Sequence, residues 1–255
     1  MKLLDTLLST LPDGEALDVC IGLHWTAVTV RVGDQVRCGL ASTVTEPHGH
    51  SAAPDVPQAG LLHTLSALEL ARMAQLEHHP LASIGIATLN ALLPPQPDLW
   101  RDVNAEEVIA SHGEGKIVAL IGSFPFVPAL RSRVGRLDVL ELQPKGSEMP
   151  ASAAPDVLPR ADVVAITSMS LVNHTLESLL EWCSPQATVL LLGPSTPLSP
   201  MLFEHRIDLA SGSIVTDIDA VQAAVKQGAN FRQVHRAGVR LVTMSRGGYP
   251  SREGI

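Results

Sequence analysis

The pattern of apolar and polar positions predicts a β-hairpin near the start of the chain. Valines alternate with polar residues over 28–32, a Gly33-Asp34 turn follows, and apolar residues return over 36–40. A period of two on both sides of a two-residue turn is typical of paired antiparallel strands. The next segment, 43–60, holds three prolines and two glycines, so we expect an irregular loop there.

Helical patterns follow this loop. Apolar residues recur every three or four positions over 61–71, which predicts an amphipathic helix that stops near His79-Pro80. Ser83 is expected to cap a second helix that ends at Pro94-Pro95. Strands followed by helices indicate that residues 1–93 form an α+β domain.

The remainder of the chain has a different pattern. A linker over 94–115, with a short helix capped by Asn104, leads into residues 116–255. Six short apolar runs lie in this part, at 116–122, 137–142, 162–167, 188–193, 209–215 and 239–244. Nearly continuous apolar runs are typical of strands buried on both faces of a parallel sheet. Their alternation with helical patterns predicts a doubly wound, Rossmann-like α/β domain with a mainly parallel sheet.

Composition and charge exclude several classes of protein. No apolar run approaches the roughly 20 residues of a membrane helix, so we expect a cytoplasmic protein with no membrane partner. Eight aromatic residues and a formal net charge of −8 are poorly suited to stacking bases or neutralising phosphates, so we expect no nucleic-acid partner. Three cysteines without CxxC spacing favour reduced, buried thiols.

The excess negative charge predicts where a cation would bind. Residues 1–112 carry 13 acidic and 5 basic side chains, together with seven of the ten histidines. In the loop, Glu46, His48 and His50 occupy alternate positions, which face the same way in an extended segment. One carboxylate and two imidazoles suit zinc, iron, nickel or copper, so these three residues are candidate metal ligands. The alternative is a solvated loop surface.

Further candidates lie where the predicted parallel strands end, because ligands of doubly wound sheets bind there. The Gly122 turn lacks GxGxxG, which argues against a dinucleotide site. Glu141 stands near the offset at which a carboxylate holds a ribose hydroxyl; the alternative is a carboxylate that caps neighbouring amides. The candidate ligand-binding residues are Gly122, Ser123, Phe124, Glu141, Thr167, Ser168, Asn173, His174, Ser195 and Thr196.

Several segments resemble those of a family of heavy-metal chelation proteins, and the resemblance covers nearly the whole chain. They are IGLHWTAV (21–28), CGLAS (38–42), SIGIATLNALL (83–93), IGSFPF (121–126), DVLPRADVVAIT (156–167), NHTLESLL (173–180) and, most specific, LLGPSTPLSPMLF (191–203). The resemblance implies an N-terminal domain like that of enolase, a Rossmann-like C-terminal domain and a site between them. This sequence departs from the family at Ser123, where many relatives are expected to have histidine, and around Glu148.

Three functions remain open. The first is binding or chelation of a heavy metal, or of a metal-containing small molecule, in the cleft between the domains. The second is a metal-independent enzyme that acts on a small polar metabolite or nucleotide-like ligand, with Glu141 or His174 as the acid or base. The third is an interaction protein, and a homodimer is compatible with the aliphatic composition. GxSxG, HExxH and P-loop motifs are absent from the sequence, so hydrolase and kinase functions lack support.

Overall fold

The computed structural model describes residues 2–44 and 56–246, and the structural statements below refer to these two ranges. The first sheet is antiparallel, with three strands in chain order: β1 (Glu15–Ile21), β2 (Trp25–Val32) and β3 (Gln35–Ser42). The predicted hairpin is confirmed as β2 and β3, whose register closes at Val32 and Gln35. Gly33 begins the turn with φ +58°, a conformation that glycine adopts at little steric cost.

Three helices accompany this sheet: α1 (Lys2–Ser9), α2 (Ala67–Arg72) and α3 (His79–Leu92). The prediction that a helix ends at His79-Pro80 is wrong, because α3 begins there. Pro80 lies in the first turn of α3, where the missing N–H of proline breaks no helical hydrogen bond. Ser83 is therefore inside α3 rather than at its cap, and its hydroxyl donates to the carbonyl of His79 at 2.9 Å.

The second sheet has seven strands, six of which were predicted from the apolar runs. They are β4 (Ile117–Ile121), β5 (Arg136–Glu141), β6 (Met149–Pro150), β7 (Val163–Thr167), β8 (Thr188–Leu192), β9 (Leu209–Val215) and β10 (Val239–Ser245). Their order is β10-β9-β8-β7-β4-β5-β6, and every pair is parallel except β9 with β10. The two-residue strand β6 was not predicted, because it has no apolar run.

Helices also accompany this sheet: the first precedes β4, and the others each follow one of its strands. They are α4 (Ala105–Gly113), α5 (Val127–Leu130), α6 (Ala154–Val157), α7 (Met169–Val172), α8 (Leu176–Trp182), α9 (Ile218–Lys226) and α10 (Phe231–Gly238). The predicted cap of α4 is confirmed, since the Asn104 side chain accepts a hydrogen bond from the Glu107 amide at 3.0 Å. In the described part of the chain, no helix combines the length and apolar character needed to cross a membrane.

The two parts of the chain share one hydrophobic core. Leu70 and Ile86 of the N-terminal helices belong to the same buried cluster as Val164 and Ile166 of β7. The antiparallel sheet is covered on both faces. Val28 packs in this cluster with α3, whereas the adjacent Ala27 points to the other face and packs in a second cluster with α9. The predicted fold class is confirmed: an α+β unit precedes an α/β domain with a mainly parallel sheet.

Candidate functional site

The turn after β4 brings three predicted site residues together. Gly122 has φ +102°, and a Cβ added there would lie 3.1 Å from the Thr167 Cβ and 3.2 Å from a ring atom of Phe124. Glycine is therefore required both by the backbone conformation and by the close approach of β7. The carboxyl ends of β4 and β7 meet as the parallel topology demands.

Ser123 is held between two carboxylates. Its amide donates to Glu141 Oε1 at 2.7 Å, and its hydroxyl donates to Glu148 Oε1 at 2.6 Å. The other oxygens, Glu141 Oε2 and Glu148 Oε2, accept from the amides of Leu142 and Lys145 at 2.9 and 2.8 Å. Glu141 thus takes the amide-capping arrangement. Both carboxylates anchor the loops at this edge of the sheet.

The Ser123 hydroxyl also controls the protonation of Glu148. Its hydrogen bond is the main cause that holds the pKa of Glu148 below the ordinary value, followed by the bond from the Lys145 amide. Because the pKa of Glu148 is lower in the folded protein than in the unfolded chain, ionised Glu148 stabilises the folded state. This stabilisation is complete above the pKa of the unfolded chain. The contribution is lost as the pH falls through the folded-state pKa.

Ser123→Ala is therefore expected to raise the pKa of Glu148 toward its ordinary value, because the variant lacks the hydroxyl donor. An NMR titration of the Glu148 side-chain carbonyl measures this pKa. Ser147→Ala is the matched control. Ser147 is next to Glu148 in the chain, but its hydroxyl accepts a hydrogen bond from Arg131 at 3.1 Å. Equal titration midpoints in wild type and Ser123→Ala would contradict the assignment.

The loops after β7 and β8 adjoin each other and the N-terminal domain. The Ser168 amide donates to the Leu192 carbonyl at 2.7 Å, and a Cβ at Gly193 would lie 2.8 Å from the Ser168 hydroxyl. The fully buried Ser195 accepts a hydrogen bond from the Ser42 amide, at the end of β3, at 2.8 Å. The buried hydroxyl of Thr196 has no hydrogen-bond partner in the described part of the chain. Ser195 thus joins the Rossmann-like domain to the end of β3.

The imidazole of His174 lies between the domains. His174 connects α7 and α8 with φ +58°, which is uncommon for a residue other than glycine. Its half-buried ring hydrogen-bonds to the backbone of Ala74 and has Glu77 and His79 as electrostatic neighbours. The Nε2 atom is buried and has no hydrogen-bond partner within residues 2–44 and 56–246, so Nδ1 is the atom that bonds to Ala74.

Burial decides the protonation of this ring. It lowers the pKa of His174, and the hydrogen bond to Ala74, which acts in the opposite direction, offsets burial only in part. At neutral pH the ring is neutral, with its proton on Nδ1 and a lone pair on Nε2. His174 therefore presents the form of imidazole that a metal ion binds.

The neighbouring Asn173 shapes the turn. Its side-chain oxygen accepts from the Thr175 hydroxyl at 2.8 Å and from the Thr175 amide at 3.3 Å.

The structure divides the predicted residues into two groups. The residues at the ends of β4 and β5 lie at the edge of the sheet where Glu141 and Glu148 hold the loops. His174 and Ser195 instead contact the N-terminal domain.

Glu46, His48 and His50 lie outside the described residues. Just before that segment, the Val44 amide donates to the Ser83 hydroxyl at 3.3 Å, and Ser83 lies one helical turn after His79, the first residue of α3. Across residues 2–44 and 56–246, there is no group of three His, Cys, Asp or Glu side chains that could hold a metal ion. The described residues alone therefore do not complete a metal site.

Sequence reasoning missed Ser42 and Ala74. Both contribute backbone atoms, the Ser42 amide to Ser195 and the Ala74 backbone to His174. A backbone contact of this kind leaves no signal in the residue type, so no sequence pattern could have identified them.

The fold defines a class of two-domain proteins in which a small α+β unit packs on a Rossmann-like domain. Two family models, both described as "Putative heavy-metal chelation", match residues 4–93 and 104–244. The chain belongs to this family.

Two solved structures have the same architecture. A protein of unknown function from the DUF364 family of Desulfitobacterium hafniense DCB-2 is 27% identical, with a TM-score of 0.77 over 96% of this chain and 97% of that one. A protein of unknown function from Pyrococcus horikoshii, of the same family, is 18% identical, with a TM-score of 0.78 over 96% and 98% of the two chains. At 18% identity, the similarity to the Pyrococcus horikoshii protein supports a shared fold only. The comparison with curated proteins finds no match.

Proposed function

We propose that this protein binds a heavy-metal ion, free or within a small molecule, between its two domains, with His174 as a ligand. The observation that carries the proposal is the buried Nε2 atom of His174, which has no hydrogen-bond partner among the residues that the structure describes. The family description supports the metal, and this atom supports the position. The role would be metal handling rather than a defined reaction.

Two features of His174 are unfavourable without a ligand. A buried polar atom without a partner costs about 1–3 kcal/mol. A left-handed backbone conformation costs a residue other than glycine about 1–2 kcal/mol. Unfavourable features of this kind persist where the surrounding structure enforces them, and they cluster at functional sites. A metal ion at Nε2 would provide the missing partner.

The hydrogen bond from Nδ1 to Ala74 fits the same role. Histidines that bind metals usually donate their other ring N–H to a carbonyl or carboxylate, which fixes the tautomer and the orientation of the ring. His174 has this arrangement before any metal is bound.

Glu46, His48 and His50 would complete the ligand set. Val44 is hydrogen-bonded to Ser83, one turn into α3, and four residues of chain, the separation from Val44 to His48, span at most about 14 Å. Since α3 begins beside the electrostatic neighbours of His174, the loop ligands and His174 could bind the same ion. The resulting set would contain nitrogen and oxygen donors.

The metal-independent alternative has less support. It would use Glu141 or His174 as the acid or base, but both oxygens of Glu141 accept hydrogen bonds from backbone amides. This arrangement favours anchoring of the loop over proton transfer. His174 could act on a substrate only through the same Nε2 atom that the metal proposal uses.

Isothermal titration calorimetry with divalent metals tests the proposal on wild type and on His48→Ala combined with His50→Ala. We expect wild type to bind with a dissociation constant well below about 1 mM, and the double variant to bind at least about tenfold more weakly, because two ligands are lost. His63→Ala is the control, since His63 is an exposed histidine of the same domain. Failure of wild type to bind, or equal affinities of wild type and the double variant, would refute the proposed ligand set.

A further inference from the structure

We propose that the surface around Leu23 docks a segment of a partner protein that presents an apolar side chain flanked by carboxylates. The docking surface is formed by Leu23 and Trp25 at the start of β2 and by Phe231, Arg232 and Arg236 on α10, and we call it the Leu23 surface. It contains no residue of the proposed metal site, so this inference goes beyond the proposed function.

The centre of the Leu23 surface is apolar. Leu23 is 72% exposed at the connection between β1 and β2. It lies over the connection between α9 and α10, since a Cβ added to Gly228 would be 3.7 Å from the Leu23 Cβ. Three residues after Gly228, the half-buried ring of Phe231 packs against half-buried Trp25, with their ring centroids 5.6 Å apart. Apolar surface thus continues from the β1–β2 connection to α10, and exposed apolar patches with a polar rim are typical of interaction sites.

Unpaired cations flank this apolar centre. Residues 220–246 contain one lysine, four arginines and no aspartate or glutamate. Three of these cations have carboxylate partners: Lys226 with Asp18, Arg240 with Asp102 and Arg246 with Asp208. The other two, Arg232 and Arg236, are exposed one turn apart on α10 and form no ion pair within residues 2–44 and 56–246.

The charges specify the partner. The chain has a formal net charge of −8, so most of its surface repels an acidic segment, whereas Arg232 and Arg236 attract one. Arginine binds carboxylates in a planar, bidentate geometry. Because residues four apart on a helix have Cβ atoms only about 6 Å apart, two carboxylates of one short segment can reach both arginines. An apolar side chain between or beside them would cover Leu23.

An anionic membrane fits the Leu23 surface less well. Lipid-binding sites use clusters of about four to eight lysines or arginines, whereas this surface has two arginines without ion pairs in the described ranges. The negative net charge of the chain would also oppose its approach to anionic lipids. The combination of few cations and an exposed leucine therefore favours a protein segment.

Selection from a displayed library of random peptides tests the proposal on the full chain. We expect the selected peptides to share an apolar residue flanked by aspartate or glutamate. Calorimetry with one synthesised peptide should show binding at least about tenfold weaker for Leu23→Ser, and likewise for Arg232→Glu combined with Arg236→Glu, because each removes one half of the recognition. Added sodium chloride should weaken binding to wild type, since salt screens exposed charges.

Arg160→Glu is the matched control, because Arg160 is an exposed arginine away from α10. It makes the same charge change at one position and should leave the affinity of the peptide within about threefold of wild type. All the substituted side chains are exposed, so the variants should fold, which urea denaturation checks.

Several results would overturn the proposal. They are selected peptides without enriched carboxylates, an affinity that the two charge reversals leave unchanged, and peptide-induced NMR shifts that lie away from the Leu23 surface. A dimer that Leu23→Ser dissociates in analytical ultracentrifugation would assign the surface to a second copy of the chain. Sedimentation of wild type but not of Leu23→Ser with phosphatidylserine vesicles would assign it to a membrane. The assays use no metal, so their outcome is independent of the proposed function.

Discussion

Replacing His174 with asparagine is expected to remove metal binding and leave the fold intact. Asparagine adopts the left-handed conformation more readily than most residues, so the backbone at φ +58° is retained. Its amide oxygen is a poor substitute for the imidazole nitrogen toward borderline metals. We expect the affinity for zinc, measured by calorimetry, to fall at least about 100-fold, the upper end of what the loss of an outer-shell partner of a metal ligand costs.

The stability of the variant distinguishes loss of a ligand from loss of structure. Asparagine removes the unpartnered Nε2 atom but also the hydrogen bond to Ala74, and these changes oppose each other. The free energy of unfolding without metal, from urea denaturation, should change by less than about 1 kcal/mol. Zinc should raise the melting temperature of wild type, because it binds the native state, and should not raise that of the variant.

His205→Asn is the matched control. His205 is a histidine of the same domain, and its Nε2 is hydrogen-bonded to the Thr6 hydroxyl at 3.2 Å, so it already has a partner. Zinc affinity should be unchanged in this variant. A folded His174→Asn protein that binds zinc as wild type does would show that Nε2 is not a ligand.

The fold was largely predictable because burial on both faces leaves a strong signal in a strand. The apolar runs of β4 and β7 are continuous, since each strand is enclosed by neighbouring strands and by two layers of core. β6 left no such signal, because its two residues, Met149 and Pro150, only extend the edge beside β5. The start of α3 was mispredicted because a proline can either end a helix or occupy its first turn.

The meeting of the strand ends was predictable from the sequence, whereas the contacts made by the residues there were predictable only in part. The rule for strand ends correctly predicted that the Gly122 turn and Thr167 adjoin. Which polar atoms have hydrogen-bond partners depends on tertiary contacts. The Ser123 amide donates to Glu141, whereas Nε2 of His174 has no partner among the described residues. Glu46, His48 and His50 stay a prediction from spacing, and the described residues do not test it.

The second large effect concerns Gly85, which allows α3 to pack against the segment that orients His174. A Cβ at Gly85 would overlap the backbone nitrogen of Ala74 and lie 2.5 Å from its Cα. In an exposed helix, alanine would stabilise the protein by about 1 kcal/mol relative to glycine. Here the overlap involves backbone, which cannot rotate away, so Gly85→Ala should reduce the free energy of unfolding by about 3 kcal/mol. Urea denaturation measures it.

The same substitution tests how Ala74 acts on the site. Any displacement of Ala74 moves the hydrogen-bond partner of His174, so zinc affinity should fall by about tenfold in Gly85→Ala protein that remains folded. Gly33→Asn is the control, because Gly33 has a left-handed backbone but open space around it, and both quantities should stay near wild type. A stabilised Gly85→Ala protein would contradict the close backbone packing. A destabilised one with wild-type zinc affinity would instead show that the ring of His174 is held in place without Ala74.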